Sequence, residues 1–182
     1  MATLSPSVGN ILDQATQKNQ SQTQAGHDWF VQLKHKGWEN FSALPMPKRH
    51  DEKWRYSDTR TLNLENYHIG KTPSDDQVNQ LIAQSHFISR PAGLIIHIDG
   101  HCVLRPAISA ELAAQGVKFE SLQDALKHHP ALLKEFLLKH EAGLGGSKFL
   151  ALHQAYLQSG YVLHVPKGVE IKHPFVSVNW TL

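Results

Sequence analysis

The spacing of apolar positions changes several times along this chain, and each change marks a predicted element. Trp29, Phe30 and Leu33 recur at a helical interval, with Asp28 placed to start a helix and Gly37 placed to end it. Ala43-Leu44-Pro45-Met46-Pro47 predicts an extended connector, because each proline lacks a backbone donor and pushes the residue before it toward extended backbone. Beyond it Leu62, Leu64 and Tyr67 alternate as in a strand, and Thr72-Pro73-Ser74-Asp75 opens a short helix running to Ile82. Upstream, residues 1–25 hold only a weak apolar cluster, Val8, Ile11, Leu12 and Ala15, followed by Gln-rich and Ser-rich sequence. A short helix leading into a mobile linker is the expectation there.

The second half carries stronger β signals. Gly93-Leu94-Ile95-Ile96-His97-Ile98 reads as a strand, and Asp99-Gly100 predicts a two-residue hairpin turn returning through His101-Cys102-Val103-Leu104. Val117 to Phe119 forms a third short strand, after which Ser121 offers a helix N-cap with Asp124 three residues on. Two amphipathic helices follow, separated by Pro130: Leu122, Ala125 and Leu126 line the first, and Leu132, Leu133, Phe136 and Leu137 the second. Gly143, Gly145 and Gly146 loosen the chain before Ser147 caps a further helix, which carries Phe149, Leu152, His153 and Tyr156 and ends by Gly160.

From Tyr161 onward every signal is β. Tyr161-Val162-Leu163-His164-Val165 leads into Pro166-Lys167-Gly168, read as a type I turn with proline second and glycine last, and residues 169–173 and 175–178 then alternate as strands. Short strands divided by tight turns look like rungs of a β-solenoid, in which each coil buries its face on the next. The predicted fold class is therefore α+β: a helical and α+β head followed by the first strands of a solenoid. The expected division is a flexible segment over residues 1–26, the head over 27–146, and a helix with the start of the solenoid over 147–182.

Composition narrows the function classes. A chain of 182 residues with 41% hydrophobic residues can bury a core without metal or disulfide staples. The single cysteine, Cys102, forbids an internal disulfide and makes a reducing compartment, the cytoplasm, the expected location. No signal sequence is legible at the amino terminus, and no run approaches the roughly 20 apolar residues a spanning helix needs. Membrane partners are therefore not expected. A net charge of +2, with the densest basic stretch interrupted by Asp51 and Glu52, argues against nucleic acid.

Several motifs invite chemistry, and each has a plainer reading. Gly143-Leu144-Gly145-Gly146-Ser147-Lys148 resembles a phosphate loop, but its glycines lack the four-residue spacing and it follows a helix rather than a strand, so a linker is expected. Thirteen histidines suggest metal, with His97 and His101 across the hairpin and His164 and His173 across the later turn as the best pairs. Strand alternation, however, places His97 and His164 opposite their apolar neighbours and toward solvent, and no His-Glu-x-x-His set occurs. Cys102 alone reads as a small buried hydrophobe rather than an iron ligand. Trp29, Trp38 and Trp54 read as core aromatics rather than a binding surface. No Gly-x-Ser-x-Gly elbow or acid and base pair stands out, so no catalytic, cofactor-binding or metal residue is assigned.

Three stretches in order resemble the SufB/SufD family: Leu44-Pro45 through Glu52-Lys53-Trp54-Arg55-Tyr56, the hairpin strand ending in Asp99-Gly100, and Phe149-Leu150-Ala151-Leu152-His153-Gln154-Ala155 running to Gly160. The third continues into Val165-Pro166-Lys167-Gly168-Val169 and His173-Pro174. His153 departs from the asparagine common in the family. The Leu-Pro and Glu-x-Trp-Arg-Tyr elements resemble the SufD branch more than the SufB branch. The resemblance implies a right-handed parallel β-helix core after this head, then a helical domain that docks the SufC ATPase. It implies a non-catalytic scaffold in iron–sulfur cluster assembly, partnered by SufB-like and SufC-like subunits. No cofactor is expected in this segment, because the cluster-related residues of the SufD branch lie beyond Leu182. Self-association through an unpaired β edge stays open. The rival readings are a carbohydrate-active β-helix enzyme and a His-based metal-binding protein, although Glu170 is the only acid between Glu141 and Leu182.

Overall fold

The computed structural model describes residues 28–57, 59, 62, 70–139 and 146–182. The predicted short helix at the amino terminus, the alternation at Leu62, Leu64 and Tyr67 and most of the Gly143–Gly146 loop fall wholly or largely outside the described residues. In chain order the elements are α1 (Asp28–Ala43), a 3-10 turn (Glu52–Trp54), α2 (Asp75–Gln84), β1 (Gly93–Ile98), β2 (His101–Leu104), α3 (Ala110–Ala114), β3 (Lys118–Ser121), α4 (Leu122–His128), α5 (Pro130–Phe136), α6 (Gly146–Tyr156), β4 (Tyr161–His164) and β5 (Phe175–Trp180). No helix among the described residues is long and apolar enough to cross a membrane.

Two compact units share these elements. One draws on Met1–His68 and Pro130–Leu157, the other on Ile69–His129 and Gln158–Leu182. The first is helical. Its principal contact is α1 against α6, and α1 buries Phe30, Lys34, Gly37 and Phe41, a stripe whose spacing of four, three and four follows the helical period. Gly37 therefore does not end the helix as the sequence pattern predicts. A Cβ there would lie 2.7 Å from the Ala155 backbone nitrogen, so the residue allows α6 to approach α1 closely. Trp38 packs with Phe41 and Tyr156, and Trp54 with Phe149, so both make aromatic contacts with the helical unit, although each is half-buried rather than inside the core as predicted. Lys34 is buried with no hydrogen-bond partner among the described residues, and that burial holds its pKa below the ordinary lysine value.

The second unit holds both sheets. β1 is central in the order β2-β1-β5, pairing antiparallel with β2 and parallel with β5, while β3 and β4 form a separate antiparallel pair. Asp99 and Gly100 take φ of 46° and 81°, the two left-handed values of a type I′ hairpin turn, as the Asp-Gly signal predicts. α2 opens where Thr72-Pro73-Ser74-Asp75 predicts a helix start, and it is capped by Ser74, which accepts from the Gln77 N–H while the Gln77 side chain accepts from the Ser74 N–H. Ser121 caps α4 with its hydroxyl, which accepts from the Asp124 N–H and donates to the Asp124 carboxylate. Ile95, Ile96, Ile98, Val117, Phe119, Leu122, Ala125 and Leu126 supply the buried apolar side chains.

The α+β class stands, but no solenoid coil forms among the described residues. β4 and β5, which pattern alone makes successive rungs, do not pair with one another: β4 joins β3 and β5 joins β1. Residues 169–173 form no strand. The turn before them is also displaced by one position. Val169 N–H donates to the Pro166 carbonyl, and Gly168 stands third with φ of 86°, the value a type II turn requires there and only glycine adopts cheaply.

Candidate functional site

None of the histidine pairs suggested by the sequence is assembled into a site. Register places His97 opposite Cys102, and His101 opposite Ile98. His101 instead turns its Nε2 toward the Gly70 carbonyl at 3.3 Å. His164 pairs across the ladder with Lys118, whereas His173 sits in the irregular stretch before β5. Among the described residues no group of three or more His, Cys, Asp or Glu could hold a metal ion.

His97 also corrects the solvent-facing prediction. Its ring is only 3% exposed, because β1 lies between two strands and both of its faces are covered. Burial holds the imidazole below the ordinary histidine pKa, with the Gly160 backbone acting more weakly in the opposite direction. The unfolded chain then takes up a proton that the folded chain refuses. Stability is fully present above about pH 6.5 and is lost as pH falls from there toward the folded pKa. Urea unfolding at pH 7 and pH 5 is expected to show the wild type losing more stability than His97→Leu over that interval. Equal losses would refute a buried, neutral His97.

β4 shows the complementary error. Leu163 and Val165, the apolar neighbours of His164 expected to face the core, are exposed along with Tyr161, while Val162 and His164 are half-buried. The predicted alternation is present in the opposite phase, since nothing in a single strand says which face the rest of the molecule covers.

The glycine-rich stretch is resolved at its lysine. Lys148 lies inside α6, 6% exposed, and its ammonium donates to the Phe41 carbonyl and, at 2.7 Å, to the Leu44 carbonyl. It also stands 3.9 Å from the Phe41 ring centroid. Both carbonyls belong to the end of α1, whose last acceptors are otherwise orphaned and whose dipole favours a cation. Burial lowers the Lys148 pKa, and the group serves as a helix clamp rather than a phosphate ligand.

Two polar clusters went unread in the sequence. Glu120 accepts from His129 Nε2 at 3.0 Å and lies 3.6 Å from His128 Nδ1, so one carboxylate faces two adjacent histidines. Asp124 accepts from Ser121 Oγ at 2.6 Å and from Arg105 Nε at 2.9 Å. Burial alone would raise the Asp124 pKa, but these hydrogen bonds and the Arg105 charge outweigh it and leave the carboxyl below the usual range. Both clusters tie the ends of β3 and α4 to their surroundings. Cys102 is half-buried, donates weakly to the Leu104 carbonyl at 3.6 Å, and has its thiol pKa raised mainly by burial, which disfavours the nucleophilic thiolate.

The remaining chemistry-bearing segment is the loop between Pro47 and Thr59. It is closed at its base by Thr59 Oγ1 donating to the Pro47 carbonyl at 2.7 Å. Inside it Asp51 accepts from the Lys48 N–H at 2.8 Å, Trp54 N–H donates to the Asp51 carbonyl, and Ser57 N–H donates to the Trp54 carbonyl. Trp54 packs on Phe149 with ring centroids 5.3 Å apart, while Arg55 stacks 4.7 Å from the centroid of an outward Tyr56.

Comparison with known proteins connects these features. A family model described as the SufBD protein N-terminal region matches residues 10–176. The chain is similar to the iron–sulfur cluster assembly protein SufD of Bacillus subtilis (strain 168), 25% identical over 170 residues, covering 92% of this chain and 38% of that protein. It is also similar to the iron–sulfur cluster assembly protein SufB of the same organism, 27% identical over 160 residues, covering 80% of this chain and 33% of that one. The chain thus spans between a third and two-fifths of the length of these relatives. No solved structure matches.

Proposed function

Because the chain belongs to the SufB/SufD family of iron–sulfur cluster assembly proteins, we propose that it is the amino-terminal part of a SufD-like, non-catalytic scaffold subunit of the assembly complex. The match over residues 10–176 carries this reading, and the wider coverage by the SufD relative supports the SufD side of the family. The partners would be SufB-like and SufC-like subunits, the latter an ATPase, working in the cytoplasm. The cluster is then the cargo of the whole complex, handled by residues outside this chain.

The parallel pairing of β1 with β5 supports a β-helix that continues the fold, since parallel ladders of this kind are what such a helix extends. On this reading residues 147–182 lead into that core. Coexpression of the full-length protein with the SufB-like and SufC-like subunits of its own organism is expected to give a stoichiometric complex through affinity and size-exclusion steps. Deletion of the gene is expected to lower the activity of iron–sulfur enzymes in the cell. A full-length protein that elutes alone, with those enzyme activities unchanged on deletion, would overturn the proposal.

A further inference from the structure

We propose that the loop between Pro47 and Thr59 is a docking surface for an acidic face of a partner protein, with Arg55 and Tyr56 as its central contacts. Three observations carry this. First, the loop is ordered by its own bonds: the Thr59 to Pro47 closure, the Asp51 carboxylate on the Lys48 N–H, and the 3-10 turn Glu52–Trp54. A compact loop fixed in this way gives up little conformational freedom when a partner binds.

Second, the loop divides its large side chains between anchoring and display. Trp54 alone turns to the body of the unit, packed on Phe149 of α6. Tyr56 is 85% exposed, the highest value among the large hydrophobic side chains exposed in the described residues, and Arg55 lies over its ring. A folded chain gains nothing by holding a tyrosine in water, whereas tyrosine and arginine are the residue types that dominate protein contact energies. The stack also holds the guanidinium in place, so its fork of donors is presented ready for a carboxylate.

Third, the loop carries a positive excess of one. Lys48, Arg49, Lys53 and Arg55 stand against Asp51, Glu52 and Asp58, and the Asp51 carboxylate is already turned onto its own loop. Opposite charge on the partner follows from that balance. A single-stranded nucleic acid would also meet basic and aromatic side chains, but its phosphate backbone follows a continuous run of positive charge. Here Asp51, Glu52 and Asp58 break that run.

This inference rests on the reading of the chain as a complex subunit, so its probe is the complex. Full-length wild type and the variants Arg55→Glu and Tyr56→Ala would be titrated against the purified SufB-like and SufC-like subunits, with circular dichroism confirming that each variant is folded. Arg55→Glu is expected to raise Kd by about thirtyfold or more and Tyr56→Ala by about tenfold or more. Wild-type binding is expected to weaken as salt rises. Lys36→Glu, an exposed charge reversal on α1 beyond the loop, is expected to stay within about twofold. Wild-type binding that neither loop variant alters would overturn the docking surface and leave the complex reading intact. Absence of wild-type binding would overturn both. Tyr56→Ala losing affinity for a single-stranded oligonucleotide while binding the subunits normally would also overturn the protein-docking assignment.

Discussion

Replacing Lys148 by Ala is expected to destabilise the protein by about 3 kcal/mol, a larger loss than removal of any surface ion pair would cause. The ammonium donates to the Phe41 and Leu44 carbonyls and lies against the Phe41 ring, and Phe41 is itself fully buried. Removing the side chain leaves two carbonyls at the end of α1 without their donor and opens a gap beside the ring. Lys148→Met separates these effects, because it keeps most of the volume and the apolar stem but has no donor. It should recover the packing part and still unfold more easily than wild type. For a chain of this size about 3 kcal/mol corresponds to a fall in Tm of roughly 6–12 °C. A Lys148→Met protein as stable as wild type would show that the two hydrogen bonds do not hold α1. ATP binding lost with this lysine would restore the phosphate reading instead.

Local chemistry made much of this fold legible. The Asp99-Gly100 hairpin, the Ser74 and Ser121 caps and the start of α5 at Pro130 depend on residues next to one another in sequence, and all four are present. Phase and partner choice were not legible, because they depend on what lies across the sheet. β4 alternates as expected but turns the opposite face outward, and β5 finds its neighbour in β1, far back along the chain, rather than in β4. His97 was misplaced for the same reason: alternation sends it to solvent only if one face of β1 is open, and here neither is.

Charged residues inside the core were the other blind spot. The buried stripe of α1 contains a lysine and a glycine, so an apolar count sees only its first turn and ends the helix at Gly37. Lys148 was hidden in the same way, since a lysine after glycines suggests an anion until the neighbouring carbonyls are known. In the Pro47 to Thr59 loop the sequence showed the Glu-x-Trp-Arg-Tyr pattern, but it could not separate Trp54, which anchors, from Tyr56, which projects. That distinction turns a family marker into a candidate interface.

Gly37 gives the sharpest test of the α1 and α6 contact, because two effects of opposite sign compete there. On an isolated helix Gly→Ala stabilises by about 1 kcal/mol. Here the added Cβ would meet the Ala155 backbone nitrogen at 2.7 Å and the Gln154 Cβ and Cγ at 2.9 Å, so part of the obstacle is backbone that cannot rotate aside. Gln154 is further restrained because its Nε2 donates to the Leu33 carbonyl at 2.6 Å. The helices must separate, and that loosens the packing of Ala151 and Ala155, both buried on α6. Overpacking at such a contact costs about 1–3 kcal/mol. Gly37→Ala is therefore expected to be destabilising by about 1 kcal/mol net, and Gly37→Leu by about 3 kcal/mol, with denaturant unfolding as the measure. A Gly37→Ala protein more stable than wild type would mean that helix propensity wins, and that α1 and α6 are not held at the distance that requires a glycine.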